Sequence, residues 1–247
     1  MCGRFALAAT PEEIEAHFAL MDLGVFPPRY NIAPTQPVLV VMAGPRRDPG
    51  SNLPDRRELL VRWGLIPAWA KNPAELPLLF NARSETAPQK AAFKTAMRHR
   101  RALLPASGFY EWRRGAGGKT GQAYWVRPRH GGLVAFAALM ETYAEPGGSE
   151  IDTAAILTTQ ANADVARIHD RMPVVIRPED YARWLDCVNY EPRDMADLLR
   201  PAEPGFFEAV PVSSKVNKVD NTGPEIQERV EETAEPAPEP PAQMTLF

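Results

Sequence analysis

Cysteine is almost absent from this chain of 247 residues, which holds only Cys2 and Cys187. Two isolated thiols in a chain this long, without a secretory leader pattern, argue against a disulfide framework. The four histidines, His17, His99, His130 and His169, stand apart from both cysteines, so no zinc-ligand spacing arises and no metal is expected. Also missing is any run of roughly 18 apolar residues, the length a membrane helix needs. The opening Met1-Cys2-Gly3-Arg4 lacks a basic segment leading into an apolar stretch, so secretion is not expected and the cytoplasm is the expected compartment. Glycine-rich loops of the dinucleotide or nucleoside-triphosphate type are absent as well, and no cofactor is expected.

The formal net charge of −3 looks wrong for a nucleic-acid binder, but it is unevenly placed. Residues 224–247 hold six glutamates (Glu225, Glu228, Glu231, Glu232, Glu235 and Glu239) against Arg229 alone, a local charge of −5. Residues 1–223 therefore carry +2, that is −3 less −5, which permits a nucleic-acid partner without demanding one. The acidic stretch also alternates Pro236, Pro238, Pro240 and Pro241 with Ala and Glu, a composition that offers little apolar surface to offset ordering entropy. It reads as a disordered tail behind a single domain over 1–223. That domain is long enough to bury a real core. No required protein partner is evident, and a monomer is expected.

Hydrophobic patterning predicts the elements. Thr10-Pro11-Glu12-Glu13 is a helix start, with Thr10 as cap, Pro11 in the first turn and Glu13 completing a capping box. Pro37–Met42 and Leu59–Trp63 read as strands flanking a charged loop, Gly44–Arg57. A second capping box, Thr86 with Gln89, opens a helix on which Lys90, Lys94, Arg98 and Arg101 recur at three- and four-residue steps. That stripe is either a solvated face or a phosphate-facing one. Strands follow at Leu103–Trp112, Gln122–Val126, Leu133–Glu141 and Thr153–Thr159, with Gly115–Gly121 as a turn. Beyond them come a helical Ala161–Ile168, a strand at Met172–Ile176, short helices at Glu179–Leu185 and Arg193–Leu199 around a buried Cys187, and a last strand at Phe207–Val212. Strands with irregularly inserted helices, and no regular βαβ units, define an α+β fold.

Four residues could carry chemistry. Loss of Met1, which a small second residue permits, would give Cys2 a free α-amine two carbons from its thiol. Reference pKa values are about 7.7–8.0 for the amine and about 8.5 for the thiol, so each has an active fraction near neutrality. Such an amine condenses with an aldehyde, and the thiolate can then close a thiazolidine ring. An internal cysteine cannot do this, because its nitrogen is an amide. The alternative is a bystander cysteine beside the start. Glu111, within Gly108-Phe109-Tyr110-Glu111-Trp112, is either a poorly solvated general acid–base or an outward glutamate on an alternating strand. His169, within Ile168-His169-Asp170-Arg171, is a proton donor and acceptor or a structural histidine. Asn81 could orient a substrate oxygen, and Arg83 could hold phosphate, or both could serve loop hydrogen bonds. Trp63 and Trp69, in Trp63-Gly64-Leu65-Ile66-Pro67-Ala68-Trp69, are base-stacking candidates or core indoles.

Taken in order, these stretches closely resemble the SRAP family, the SOS response-associated peptidase-like proteins. Met1–Phe5, Asn31–Gln36, Trp63–Trp69, Asn81–Thr86, Pro105–Trp112, Ile168–Pro173, Val212-Ser213 and Val216-Asn217 carry the likeness. The resemblance implies a single α+β domain with a central barrel-like β core, peripheral helices and a basic groove for single-stranded DNA. It implies abasic-site recognition and a protective thiazolidine crosslink through N-terminal Cys2, with Asn81, Glu111 and His169 as partners. Arg83 matches a backbone-contacting arginine, and Arg4 is a further DNA-contact candidate. Lyase or autopeptidase activity, and nucleoid association during DNA damage, would accompany that role.

Overall fold

Apolar runs broken by turns leave the chain mostly as strands, and a computed structural model describes them for residues 2–45, 50–51, 54–114 and 120–232. In chain order the strands are β1 (Phe5–Leu7), β2 (Arg29–Ile32), β3 (Pro37–Ala43), β4 (Arg56–Trp63), β5 (Asn81–Arg83), β6 (Arg101–Ala106) and β7 (Gly108–Arg114). They continue as β8 (Thr120–Pro128), β9 (Val134–Ala144), β10 (Glu150–Gln160), β11 (Arg171–Pro173), β12 (Val175–Ile176) and β13 (Phe207–Val212). Three α-helices lie among the described residues: α1 (Pro11–Phe18), α2 (Lys94–His99) and α3 (Tyr181–Leu185).

Five strands close on themselves. β10 pairs with β4, β4 with β3, β3 with β6, β6 with β9, and β9 returns to β10. Closure leaves this ring no free edge, and buried Val38, Val40, Trp63, Leu103, Ala138 and Ile156 belong to its core. β5 and β11 also pair with β10, and β12 with β9. A second, antiparallel sheet runs in the order β13-β8-β7-β1-β2. The α+β class and the barrel-like core match the expectation from sequence.

One expected strand, Leu103–Trp112, is two. The chain turns at Ser107 and passes from the barrel (β6) into the second sheet (β7). Gly108 makes the turn possible: its φ is +154°, and a Cβ there would sit 2.4 Å from the Val126 carbonyl oxygen. The Ser107 N–H donates to the Ala6 carbonyl at 2.8 Å, and the Ala8 N–H donates to Ser107 Oγ at 2.9 Å. The N-terminal strand is thereby fixed at the junction of the two sheets.

Other expectations need correction. The Thr10–Glu13 capping box forms as predicted. The second helix, however, begins only at Lys94 after a series of turns, and Arg101 starts β6 instead of extending a basic stripe. Arg101 is buried, and its guanidinium donates to the carbonyls of Met97, Trp184, Asp186 and Tyr190 at 2.6–3.1 Å. It staples β6 to the α3 region, and at 2% exposure it is out of reach of a phosphate. Ala161–Ile168 forms turns rather than a regular helix, and Cys187 is partly exposed rather than buried. Residues 115–119 of the expected Gly115–Gly121 turn and part of the Gly44–Arg57 loop lie outside the described residues, while Gly121 belongs to β8.

The boundary at 223 also moves. Residues 224–232 pack against the second sheet: Ile226 is fully buried, Arg229 bridges to Val212, and the Val230 N–H donates to the Pro211 carbonyl at 3.0 Å. Apolar Ile226 and Val230 interrupt the acidic run, and composition averaged over the whole tail concealed them. Residues 233–247 are outside the described set.

Replacing Arg101 by Ala leaves buried carbonyls unsatisfied, so its urea unfolding free energy should fall by about 3 kcal/mol. Arg98→Ala removes only a half-exposed pair with Glu191 (3.3 Å) and should fall by about 0.5 kcal/mol. Equal losses in the two variants would contradict this reading of Arg101.

Candidate functional site

The site grows from the N-terminal strand. Pairing of Phe5 with Phe109 and Ala6 with Gly108 lays β1 antiparallel to β7. The Tyr110 N–H donates to the Arg4 carbonyl at 2.8 Å, continuing that ladder toward Glu111. Cys2 is 1% exposed, and its Sγ lies 3.9 Å from the Arg4 carbonyl, a weak sulfur contact. Burial pushes the Cys2 thiol well above its ordinary value, and the neighbouring charge of Glu111 pushes it further the same way. Glu111 is itself buried, and its Oε1 accepts from the Trp112 N–H at 3.3 Å.

β5 supplies the third member. It pairs in parallel with β10, Asn81 opposite Ile156 and Arg83 opposite Thr158. The strand alternation buries Ala82 and turns Asn81 and Arg83 to the other side, with Arg83 exposed. Asn81 Nδ2 donates to the Cys2 carbonyl at 2.8 Å. Asn81 Oδ1 is buried with no hydrogen-bond partner among the described residues. An orphan acceptor of this kind costs about 1–3 kcal/mol, a strain that an incoming donor would relieve. The structure thus brings Cys2, Asn81 and Glu111 together.

His169 sits just before β11, on the other flank of β10. Its Nδ1 accepts from the Arg171 N–H at 2.9 Å and lies 2.9 Å from Asp170 Oδ1. With Nδ1 accepting, the proton of the neutral ring belongs on Nε2. Arg171, which had no role in the sequence reading, clamps this flank. It grips Glu85 with two hydrogen bonds of 2.6 and 2.8 Å and reaches the Thr158 carbonyl at 2.5 Å. A charged pair in two separate motifs, Asn81–Thr86 and Ile168–Pro173, was the available signal for it.

The remaining candidates divide. Trp63 is fully buried, its indole N–H donates to the Phe80 carbonyl at 2.9 Å, and its ring meets Phe5 edge-on at 5.1 Å. It is a core residue and not a stacking platform, which corrects the expectation from sequence. Trp69 is 58% exposed, with its N–H on the Ala91 carbonyl at 3.3 Å, so its ring remains accessible. Arg4 is half-buried: Nη1 donates to Asn31 Oδ1 at 2.8 Å and to the Val216 carbonyl at 2.7 Å, and the guanidinium lies 6.0 Å from the Trp112 ring centre. Much of Arg4 therefore holds the C-terminal segment in place. Among the described residues, no cluster of three or more potential metal ligands occurs.

A closed β-barrel beside which Cys2, Asn81 and a buried Glu111 meet defines a class, and comparison with known proteins supplies its name. The chain belongs to the SOS response associated peptidase (SRAP) family, whose pattern matches residues 1–219. It is 37% identical over 231 residues to the abasic site processing protein YoqW of Bacillus subtilis, covering 92% of this chain and 99% of that one. It is 33% identical over 235 residues to the abasic site processing protein YedK of Escherichia coli (92% and 98% covered). With the abasic site processing protein HMCES of Gallus gallus it shares 30% over 263 residues (91% and 76% covered). A crystal structure of a Bacteroides thetaiotaomicron protein superposes with a TM-score of 0.79 at 21% identity, covering 93% of this chain and 100% of that one, a likeness of fold.

In a Cys187→Ser background, alkylation reports Cys2 alone. The buried thiol should react slowly, and Glu111→Gln should shift its rate–pH curve to lower pH, because the charge that disfavours the thiolate is gone. Superimposable curves for the two proteins would contradict the proximity of Glu111.

Proposed function

We propose that the protein processes abasic sites in single-stranded DNA by forming a covalent, protective crosslink through the amine and thiol of Cys2 after loss of Met1. The observation that carries this reading is the Asn81 Nδ2–Cys2 carbonyl hydrogen bond of 2.8 Å, which fixes the backbone from which that amine would project, beside Glu111. The relatives' names support the abasic-site substrate, and the exposed Arg83 next to Asn81 supports a phosphate backbone running past the site.

The chemistry follows from groups on this chain. The Cys2 amine adds to the C1′ aldehyde of the ring-opened sugar, and the carbinolamine loses water to give an iminium. Its oxygen departs with a proton from the Nε2 side of His169 or from Glu111. The thiol then adds to the same carbon, closing the five-membered ring, and its proton passes to the Glu111 carboxylate. Burial holds the thiol protonated at neutral pH, so the amine acts first and the thiol needs a base at the closing step. Asn81 Oδ1 would accept a hydrogen bond from a sugar hydroxyl or from the amine. A base-free sugar in a single strand requires no extrusion from a duplex. Autocatalytic removal of Met1 and strand-cleaving lyase turnover would draw on the same groups, with strand scission as the visible product of the second.

Intact-mass measurement after mixing with an abasic single-stranded oligonucleotide should show the chain without Met1, joined to the oligonucleotide with loss of one water. Cys2→Ala should give no such adduct while still binding the strand. An identical adduct from Cys2→Ala would refute the assignment. Arg83→Ala should weaken binding and reduce the slope of log affinity against log salt by about one.

A further inference from the structure

The Glu232 carboxylate sits in a cationic cradle. Arg113 Nη1 donates to its Oε1 at 2.7 Å, and the Tyr124 hydroxyl makes a short hydrogen bond to the same oxygen. The guanidiniums of Arg113 and Arg167 each lie 5.8 Å from the centre of the Tyr124 ring. One arginine and a hydroxyl meet on this anionic oxygen, and the guanidinium of Arg167 stands close by as a second positive charge, a grouping suited to a phosphate with its several oxygens. The location links it to the site: Tyr124 is directly opposite Glu111 in the β7–β8 pair, Arg113 is two residues beyond Glu111, and Arg167 is two residues before His169.

Glu232 reaches this cradle on the 224–232 segment, beyond the residues that match the family. Gln227 Nε2 on the Tyr110 hydroxyl (3.0 Å) and the Val230 N–H on the Pro211 carbonyl (3.0 Å) hold the segment, whose end at Glu232 lies 41% exposed. Such an ion pair is worth little on its own and is replaceable by a stronger anion.

We propose that Arg113, Arg167 and the Tyr124 hydroxyl form a phosphodiester-binding subsite beside the candidate site, and that Glu232 occupies it as an internal competitor until single-stranded nucleic acid displaces it. The identity of the displacing strand rests on the function proposed above, whereas the anion subsite stands on its own geometry. The Tyr124 hydroxyl and Arg113 hold the Glu232 carboxyl below the usual carboxylate range, so it is fully charged at neutral pH. Burial and the bond to Glu232 leave Tyr124 pushed up to about 12, so its hydroxyl stays a donor to whichever anion is present.

The test uses the full chain and an undamaged single-stranded oligothymidylate, followed by fluorescence anisotropy. Glu232→Gln should bind about fivefold more tightly than the unaltered chain, and adding Arg167→Gln should remove that gain. Equal affinity of Glu232→Gln and the unaltered chain would overturn the proposal and leave Glu232 as a structural anchor. If no protein binds the strand, the DNA reading fails and inorganic phosphate decides the subsite. Faster exchange of the Val230 amide on adding phosphate to the unaltered chain, but not to Arg113→Gln/Arg167→Gln, supports an anion subsite. Exchange indifferent to phosphate overturns it.

Discussion

The Asn81 side chain ties residue 2 to the strands beside the barrel. Its Nδ2 holds the Cys2 carbonyl at 2.8 Å, and its own strand, β5, is locked in parallel to β10. Net of water, one such bond contributes about 1 kcal/mol, yet losing it would strand a carbonyl in a buried setting at a further cost of about 1–3 kcal/mol. The asymmetry makes the position of residue 2 strict. The rest of the site is arranged around it: β7 delivers Glu111 alongside through the β1–β7 ladder, and the Ser107–Gly108 turn lets β7 leave the barrel at that point.

The electrostatics bear on the order of events in the proposed reaction. Burial and a neighbouring carboxylate both disfavour a thiolate at Cys2, which is the reverse of the electropositive setting that activates a cysteine for attack by sulfur. In the proposed reaction the nitrogen would therefore attack first, and the sulfur would act only once a proton acceptor takes its hydrogen. The cationic groups lie farther out, at Arg83 on β5 and at Arg113 and Arg167 around Tyr124, where a phosphate backbone could be gathered without lowering the thiol.

Much of this was legible in the sequence where a local rule governed the outcome. The Thr10–Glu13 capping box and the β3 run of valines depend only on neighbours, and both formed as read. What failed depended on distant contacts. Arg101 looked like one of a helical stripe, but four carbonyls from α2 and the α3 region claim it. Trp63 and Trp69 are indistinguishable by type, and only closure of the barrel buries one of them. The 224–232 segment looked solvated by composition, although a buried Ile226 and a paired Glu232 bind it to the sheet. Cys2, Asn81, Glu111 and His169 were legible as residue types in ordered motifs. That three of them meet is a fact of register between β1, β5 and β7, which no single stretch of sequence contains.

In the proposed reaction the amine and the thiol of Cys2 act in sequence on one aldehyde carbon, and Cys2→Ser separates the two. This variant keeps the amine after loss of Met1 but cannot close a thiazolidine. Mixed with an abasic single strand, it should yield a covalent adduct only when borohydride is present to reduce the imine, whereas the unaltered protein yields one without reductant. A stable adduct from Cys2→Ser in the absence of borohydride would contradict the claim.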